Sequence, residues 1–266
     1  MDLSLDDNVA LVTGGSKGIG YGCADALAAE GCALSICARH RDELEATASE
    51  LSTTHDVAVE PIVADLTDED DINRLVEQTA ETVGPPDILV NNAGTVGTPG
   101  GLDVPTEDWR AVFELNLFAV VTLTRNVVPH MREQGWGRVI NISSENGEQP
   151  YPDMMPYSAT KGALNNFSKA LSKEVAADGV LVNTVSPAFI ETPLVTDMME
   201  QAAAEQGVTK KEAVQNFLDE ARPHIEVGRP GDIDEVGRLV AFLASEHASF
   251  INGSNYRVDG GSVAAL

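Results

Sequence analysis

In the stretch PYSATKGALNNF, Tyr157 and Lys161 stand four places apart near the start of a helical run, so the two side chains share one face. Such a pair either packs, with the lysine stem across a half-buried ring, or holds a phenol and an ammonium together for work on a proton. The pair alone leaves both open. A second stretch points to a ligand. Thr13 to Gly20, TGGSKGIG, leaves a short apolar run and opens a helical one, with glycines at 14, 15, 18 and 20. Glycines there allow a tight turn, and they let a pyrophosphate approach backbone N–H groups at a helix N-terminus. A plain strand-to-helix connection looks the same, so the surrounding elements must decide.

Those elements alternate. Short apolar runs read as strands at 8–15, 33–39, 57–66, 87–94, 137–144, 180–187 and 254–261. Between them, helical patterns cover 19–30, 41–51, 68–82, 106–134, from just after Tyr157 to about 177, 193–221 and 232–245. Strand and helix alternating from end to end predict an α/β fold: a Rossmann-type, doubly wound parallel sheet of about seven strands, with helices on both faces. No linker, repeat or low-complexity segment divides the chain, so 1–266 reads as one domain. The glycine turn then follows the first strand, where doubly wound sheets bind nucleotides at the reversal of strand order.

The bulk numbers narrow the class. With 266 residues, 43% of them hydrophobic, the chain can bury a sizeable core and is not disordered. No apolar run reads as a membrane span, and the acidic start MDLSLDDNVA does not resemble a signal peptide. Cys23, Cys32 and Cys37 read as buried thiols of a cytoplasmic protein, and the five histidines show no metal-ligand spacing, so no metal is expected. Acidic residues outnumber basic ones 42 to 17, for a net charge of −25. Such a surface repels nucleic acid. Its dispersed acids and scarce lysines suit a salt-loaded cytoplasm, where ions screen the self-repulsion.

Thr13-Gly14-x-x-x-Gly18-Ile19-Gly20, Asn91-Asn92-Ala93-Gly94, Tyr157-x-x-x-Lys161 and Val258-Asp259-Gly260-Gly261 occur in that order. Four motifs at this spacing, spanning the whole chain, resemble the short-chain dehydrogenase/reductase family. The resemblance implies an NAD(P)-dependent enzyme acting on CH–OH or keto groups. It makes Tyr157 the acid/base, with Lys161 lowering its pKa and holding the ribose hydroxyls. Ser144, thirteen residues earlier, matches the serine that hydrogen-bonds the substrate oxygen, with Ser143 as its rival. Asn116 in FELNLFAV matches the asparagine of a proton relay, although a polar residue there could also mark a helix kink.

The same resemblance supplies the cofactor set. Gly14, Ser16, Lys17, Gly18, Ile19 and Gly20 form the phosphate loop, and Asp65 and Leu66 meet the adenine. Asn92, Ala93 and Gly94 line the strand end, and Pro187, Ile190 and Thr192 reach the nicotinamide beside Tyr157 and Lys161. Ala188 stands where the family usually has glycine. NAD enzymes place an acid at the end of the second strand to accept the ribose 2′-hydroxyl. Ala38 and Arg39 stand there instead, with Lys17 nearby and no carboxylate in view, which favours NADP over NAD. The substrate would be a small molecule shaped by residues 145–156 and a helical lid near 193–222. A 3-oxoacyl thioester or small ketone ranks first, a sugar or polyol second. A non-catalytic NADP sensor would have no need of the tyrosine. The family's habit further implies a homotetramer.

Overall fold

The computed structural model describes residues 3–264, so Met1, Asp2, Ala265 and Leu266 of the expected domain lie outside the described residues. Seven strands build one sheet: β1 (Val9–Thr13), β2 (Ala33–Ala38), β3 (Val59–Val63), β4 (Ile88–Asn91), β5 (Gly137–Ile142), β6 (Val180–Pro187) and β7 (Asn255–Val258). Their order is β3-β2-β1-β4-β5-β6-β7, and every pairing is parallel. Runs such as ILVN in β4 are buried on both faces, which is why they read as continuous apolar stretches.

One face of the sheet carries α1 (Gly18–Ala29), α2 (Arg41–His55) and α9 (Ile233–Ala244), joined in a core that includes Leu27, Leu44 and Val240. The other carries α3 (Glu69–Thr82), α5 (Ala119–Gln134) and α6 (Met155–Val175), through Leu75, Leu123 and Val175. The order reverses between β1 and β4, so their C-terminal ends open a crevice.

Three details depart from the sequence reading. The pattern over 106–134 is helical but not uniform: α4 (Thr106–Phe113) passes through a π-turn, Glu114–Phe118, into α5. That 29-residue helix is apolar enough to cross a membrane by length and composition, yet one side of α5 is packed into the core. Second, α6 starts two residues before Tyr157, because Pro156 fits a first helical turn, where no N–H partner is needed. Third, the stretch 193–222 is two helices, α7 (Pro193–Gln206) and α8 (Lys210–Ala221). Gly207 ends the first in a left-handed conformation, and a Thr209–Glu212 capping box starts the second. The pair encloses a small core of its own, with the rings of Phe189 and Phe217 at 4.7 Å.

Candidate functional site

The glycine loop is held from the β4 side. Thr13 Oγ1 accepts from the backbone N–H groups of Asn92 and Ala93 at 2.9 and 3.0 Å. Asn92 Nδ2 donates back to the Thr13 and Gly14 carbonyls at 2.8 and 3.3 Å. Gly20 has no room for a side chain, since a Cβ there would lie 2.1 Å from the Gly14 carbonyl oxygen. Gly18 has φ +58 and faces Thr192, whose Cγ2 would lie 3.3 Å from an added Cβ. The loop and the start of α7 thus approach each other across a narrow gap.

Along this gap runs a cleft of about 420 Å³. Gly14, Ser16, Lys17, Gly18, Ile19, Gly20, Arg39, Asp65, Leu66, Asn92, Ala93, Gly94 and Thr192 all line it. Pro187, Ile190, Tyr157 and Lys161 do not. Ile190 packs into the main core instead. Ala188 lies outside the left-handed region and donates its N–H to the Val258 carbonyl at 3.2 Å, so a methyl costs this turn nothing. Bare backbone at a helix N-terminus, cations on one side and a wall of small residues suit a dinucleotide. Arg39 is exposed, and its charge helps to lower the Asp65 pKa, after two hydrogen bonds from Thr67. One expectation fails: Glu43 also lines the cleft, so the cations there do face a carboxylate. It reaches the site from α2, where no strand-end rule would look for it.

Beside the cleft, the ends of β5 and α6 gather buried polar groups. Ser143 and Ser144 leave β5 in opposite directions. Ser143 Oγ turns to the Lys161 carbonyl at 3.4 Å, a strand-end hydroxyl satisfying backbone. Ser144 caps the short turn 145–147, accepting from Asn146 N–H at 3.2 Å, and hydrogen-bonds Tyr157. Lys161 is 4% exposed; its Nζ donates to the Ile142 carbonyl at 2.8 Å and stands 5.6 Å from the centre of the Tyr157 ring.

Burial decides both titrations. It pushes the Lys161 ammonium down from 10.5 to about 8. It pushes the Tyr157 phenol up; the Ser144 hydroxyl pulls the other way, and the Glu145 carboxylate adds to the rise. This corrects the expectation of a net fall at Tyr157, although a nearby ammonium still favours the phenolate over the phenol. Here desolvation wins, and the phenol holds its proton at neutral pH. A protonated phenol beside a serine hydroxyl can donate to a carbonyl oxygen held between them.

The structure places Asn116 at a kink, one of its two readings. It lies in the π-turn, the kink, and is 1% exposed. Its Oδ1 accepts from Thr95 N–H at 2.8 Å, and its Nδ2 donates to the Thr95 carbonyl at 2.8 Å and to Thr160 Oγ1 at 3.1 Å. Its hydrogen bond to α6 thus reaches Thr160, next to Lys161, and not the lysine itself.

Sequence reasoning placed Glu145, the residue after Ser144, only within the substrate-shaping stretch 145–156 and named no partner for it. Its side chain is 4% exposed, accepts from the Tyr151 hydroxyl at 3.1 Å, and lies 3.7 Å from Arg222 Nε at the end of α8. Arg222 stacks at 3.9 Å over the Tyr151 ring. In the expected lid, Met199 is buried in the lid core, whereas Leu194 is exposed on the cleft. Among the described residues no group of histidine, cysteine or carboxylate side chains could hold a metal. The three cysteines are buried and free, their thiols pushed up to about 12, so they are inert.

The chain is similar to known proteins in sequence and fold. The family model described as short chain dehydrogenase matches residues 8–203. The 3-oxoacyl-(acyl-carrier-protein) reductase of Aquifex aeolicus is 36% identical over 98% of this chain and 99% of its own. The NAD(+)-dependent 2-dehydro-3-deoxy-L-rhamnonate dehydrogenase of a Sphingomonas strain is 33% identical over 95% and 94%. The crystal structure of L-sorbose reductase from Gluconobacter frateurii, complexed with NADPH and L-sorbose, superposes with a TM-score of 0.95 at 35% identity, covering all of both chains.

Proposed function

The chain belongs to the short-chain dehydrogenase family and is an oxidoreductase acting on keto or CH–OH groups; from that premise we propose that it is an NADPH-preferring ketone reductase. The observation that carries the reading is the half-buried Tyr157 phenol, hydrogen-bonded to Ser144 and with its ring centre 5.6 Å from the buried Lys161 Nζ. A nicotinamide cofactor held along the glycine loop would supply the hydride that reduces the carbonyl carbon. Ser144 Oγ donates a hydrogen bond to the carbonyl oxygen and fixes its position. Tyr157 gives that oxygen its proton as negative charge builds on it. Lys161 holds the ribose hydroxyls and favours the phenolate left behind, and Asn116, through Thr160, keeps α6 in register with the π-turn. Pro187, Ile190 and Thr192 would carry the turn beside a bound nicotinamide, with Thr192 alone of the three lining the cleft. Lys17 and Arg39 are the cations for a 2′-phosphate, with Asp65 and Leu66 at the adenine.

The substrate is a small ketone or a 3-oxoacyl thioester, covered by α7 and α8 as a lid. A second reading, a sugar or polyol, gains from one finding: the structure of L-sorbose reductase complexed with L-sorbose superposes over all of both chains with a TM-score of 0.95. The protein works as a cytoplasmic homotetramer in high salt, with α5 and α6 as the packing surface. An NADPH-oxidation screen over small ketones, 3-oxoacyl thioesters and ketoses, in molar KCl, tests the reading. Turnover of any carbonyl panel supports a reductase, and ketose turnover above the others selects the second reading. No turnover with either NADPH or NADH would overturn both. Light scattering that gives a clean monomer in the same salt would remove the tetramer.

A further inference from the structure

Glu43 stands in the first turn of α2, and its carboxylate reaches back to the glycine loop. Oε2 accepts from the Ser16 hydroxyl at 3.1 Å and Oε1 from Lys17 Nζ at 3.3 Å. Helix α2 grips the loop a second time, because Thr47 Oγ1 donates to the Ser16 carbonyl at 2.9 Å. Ser16 is therefore fixed and buried, whereas the Lys17 side chain is 57% exposed and free to swing. Both partners line the cleft with Arg39. Ala38 leaves the end of β2 without an acceptor, and an acceptor enters instead from the next helix.

We propose that Glu43 is a specificity-determining residue: an anion built into the ribose 2′ pocket, which competes with a 2′-phosphate for Ser16 and Lys17 and accepts the hydroxyl of an unphosphorylated ribose. This rests on the NADP-preferring reading above and refines it. A 2′-phosphate gains Arg39 and Lys17 but must draw Ser16 and Lys17 away from Glu43 and then sit close to its charge. A neutral 2′-hydroxyl meets no such conflict and can donate to the carboxylate while the lysine pair stays in place. The chain therefore takes both cofactors, with a preference for NADP narrower than its two cations alone would set. Because Glu43 and Lys17 are well exposed, water and salt screen the competition to a modest factor.

The test measures dissociation constants of NADPH, NADH and 2′,5′-ADP by fluorescence titration for the wild type, E43Q and E43K, at one low salt concentration and again in molar KCl. The 2′,5′-ADP arm reads the pocket without the nicotinamide. E43Q should tighten NADPH and 2′,5′-ADP about three- to tenfold, with NADH unchanged or weaker, and E43K should tighten them further. Molar KCl should shrink the difference. NADPH and 2′,5′-ADP affinities unmoved in both variants, in protein that melts like the wild type, would overturn the role of Glu43. A wild type that binds NADH more tightly than NADPH, yet moves toward NADPH in E43Q, would sink the NADP preference and leave the role of Glu43 standing.

Discussion

The cofactor side of the cleft and the substrate side are held by different kinds of bond. On the cofactor side the positions come from backbone: the glycine loop, the strand-end amides clamped by Thr13, and the turn that carries Thr192. Its charged side chains, Lys17 and Glu43, are 57% and 40% exposed and remain solvated. On the substrate side the positions come from buried polar side chains, with Asn116 1%, Lys161 4% and Ser144 8% exposed. Exposed charges cost the fold little and can be exchanged. Buried ones cost it desolvation, which shows directly in the fall of Lys161 to about 8. Recognition is thus cheap to vary on this scaffold, while proton transfer is kept at the expense of stability.

The largest expected effect breaks the substrate side at its most costly group. Lys161→Met keeps the length of the stem and removes the buried ammonium. Turnover should fall by roughly 10³, while the melting temperature at pH 7 rises. The sign follows from the titration. The folded lysine titrates near 8 and the unfolded one near 10.5, so between those values the unfolded chain binds more protons and stability contributed by this group increases with pH. The stability advantage of the variant should therefore shrink from pH 8 to 10.5, as wild type loses its penalty. A variant less stable than wild type at pH 7 would mean that the donation to Ile142 outweighs the desolvation.

Ser144→Ala comes next. Losing one donor to the developing alkoxide should lower turnover by about 10² with little change in NADPH affinity. Ser143→Ala should stay within a few-fold of wild type, because that hydroxyl serves backbone. Equal losses in both variants would erase the distinction between the two serines. Asn116→Ala follows, as a structural test: it strands the Thr95 amide and carbonyl and removes one of the two hydrogen bonds of Thr160 Oγ1, which still donates to the Tyr157 carbonyl, at a cost of about 2 kcal/mol. Chemical denaturation should show that loss. A neutral result would mean the π-turn holds itself.

The smallest effect per residue is the most spread out. At −25 the chain repels itself in dilute buffer, so thermal melts should rise from low salt to molar KCl. A flat or falling melting temperature would leave the acidic coat without a salt-adapted role.

What was readable in the sequence divides along the same line. Strand and helix alternation carries the parallel sheet, because buried strands are written as continuous apolar runs such as ILVN, and the glycine loop is local in sequence. Ser144 could be separated from Ser143 by its spacing from Tyr157. The π-turn was not readable: its apolar periodicity matches an ordinary helix, and only a buried asparagine hinted at a kink. Glu43 and Glu145 were missed because their partners lie far along the chain; Glu145 meets Arg222, and Glu43 meets Ser16 and Lys17. The direction of the Tyr157 shift was missed for a related reason. Spacing showed that a lysine was near, but not that burial would outweigh it.

One variant separates the two sides most directly. Tyr157→Phe removes a single oxygen and leaves the ring, so the packing of Lys161 beside it and the whole cofactor cleft should persist. The NADPH dissociation constant and the single-turnover rate of carbonyl reduction should be measured on the same preparation. Affinity within about threefold of wild type, with a rate lower by at least ~10², is the expected pair of results. A variant that reduces the carbonyl at close to the wild-type rate would contradict proton donation by Tyr157, and with it the assignment of the chemistry to the buried side of the cleft.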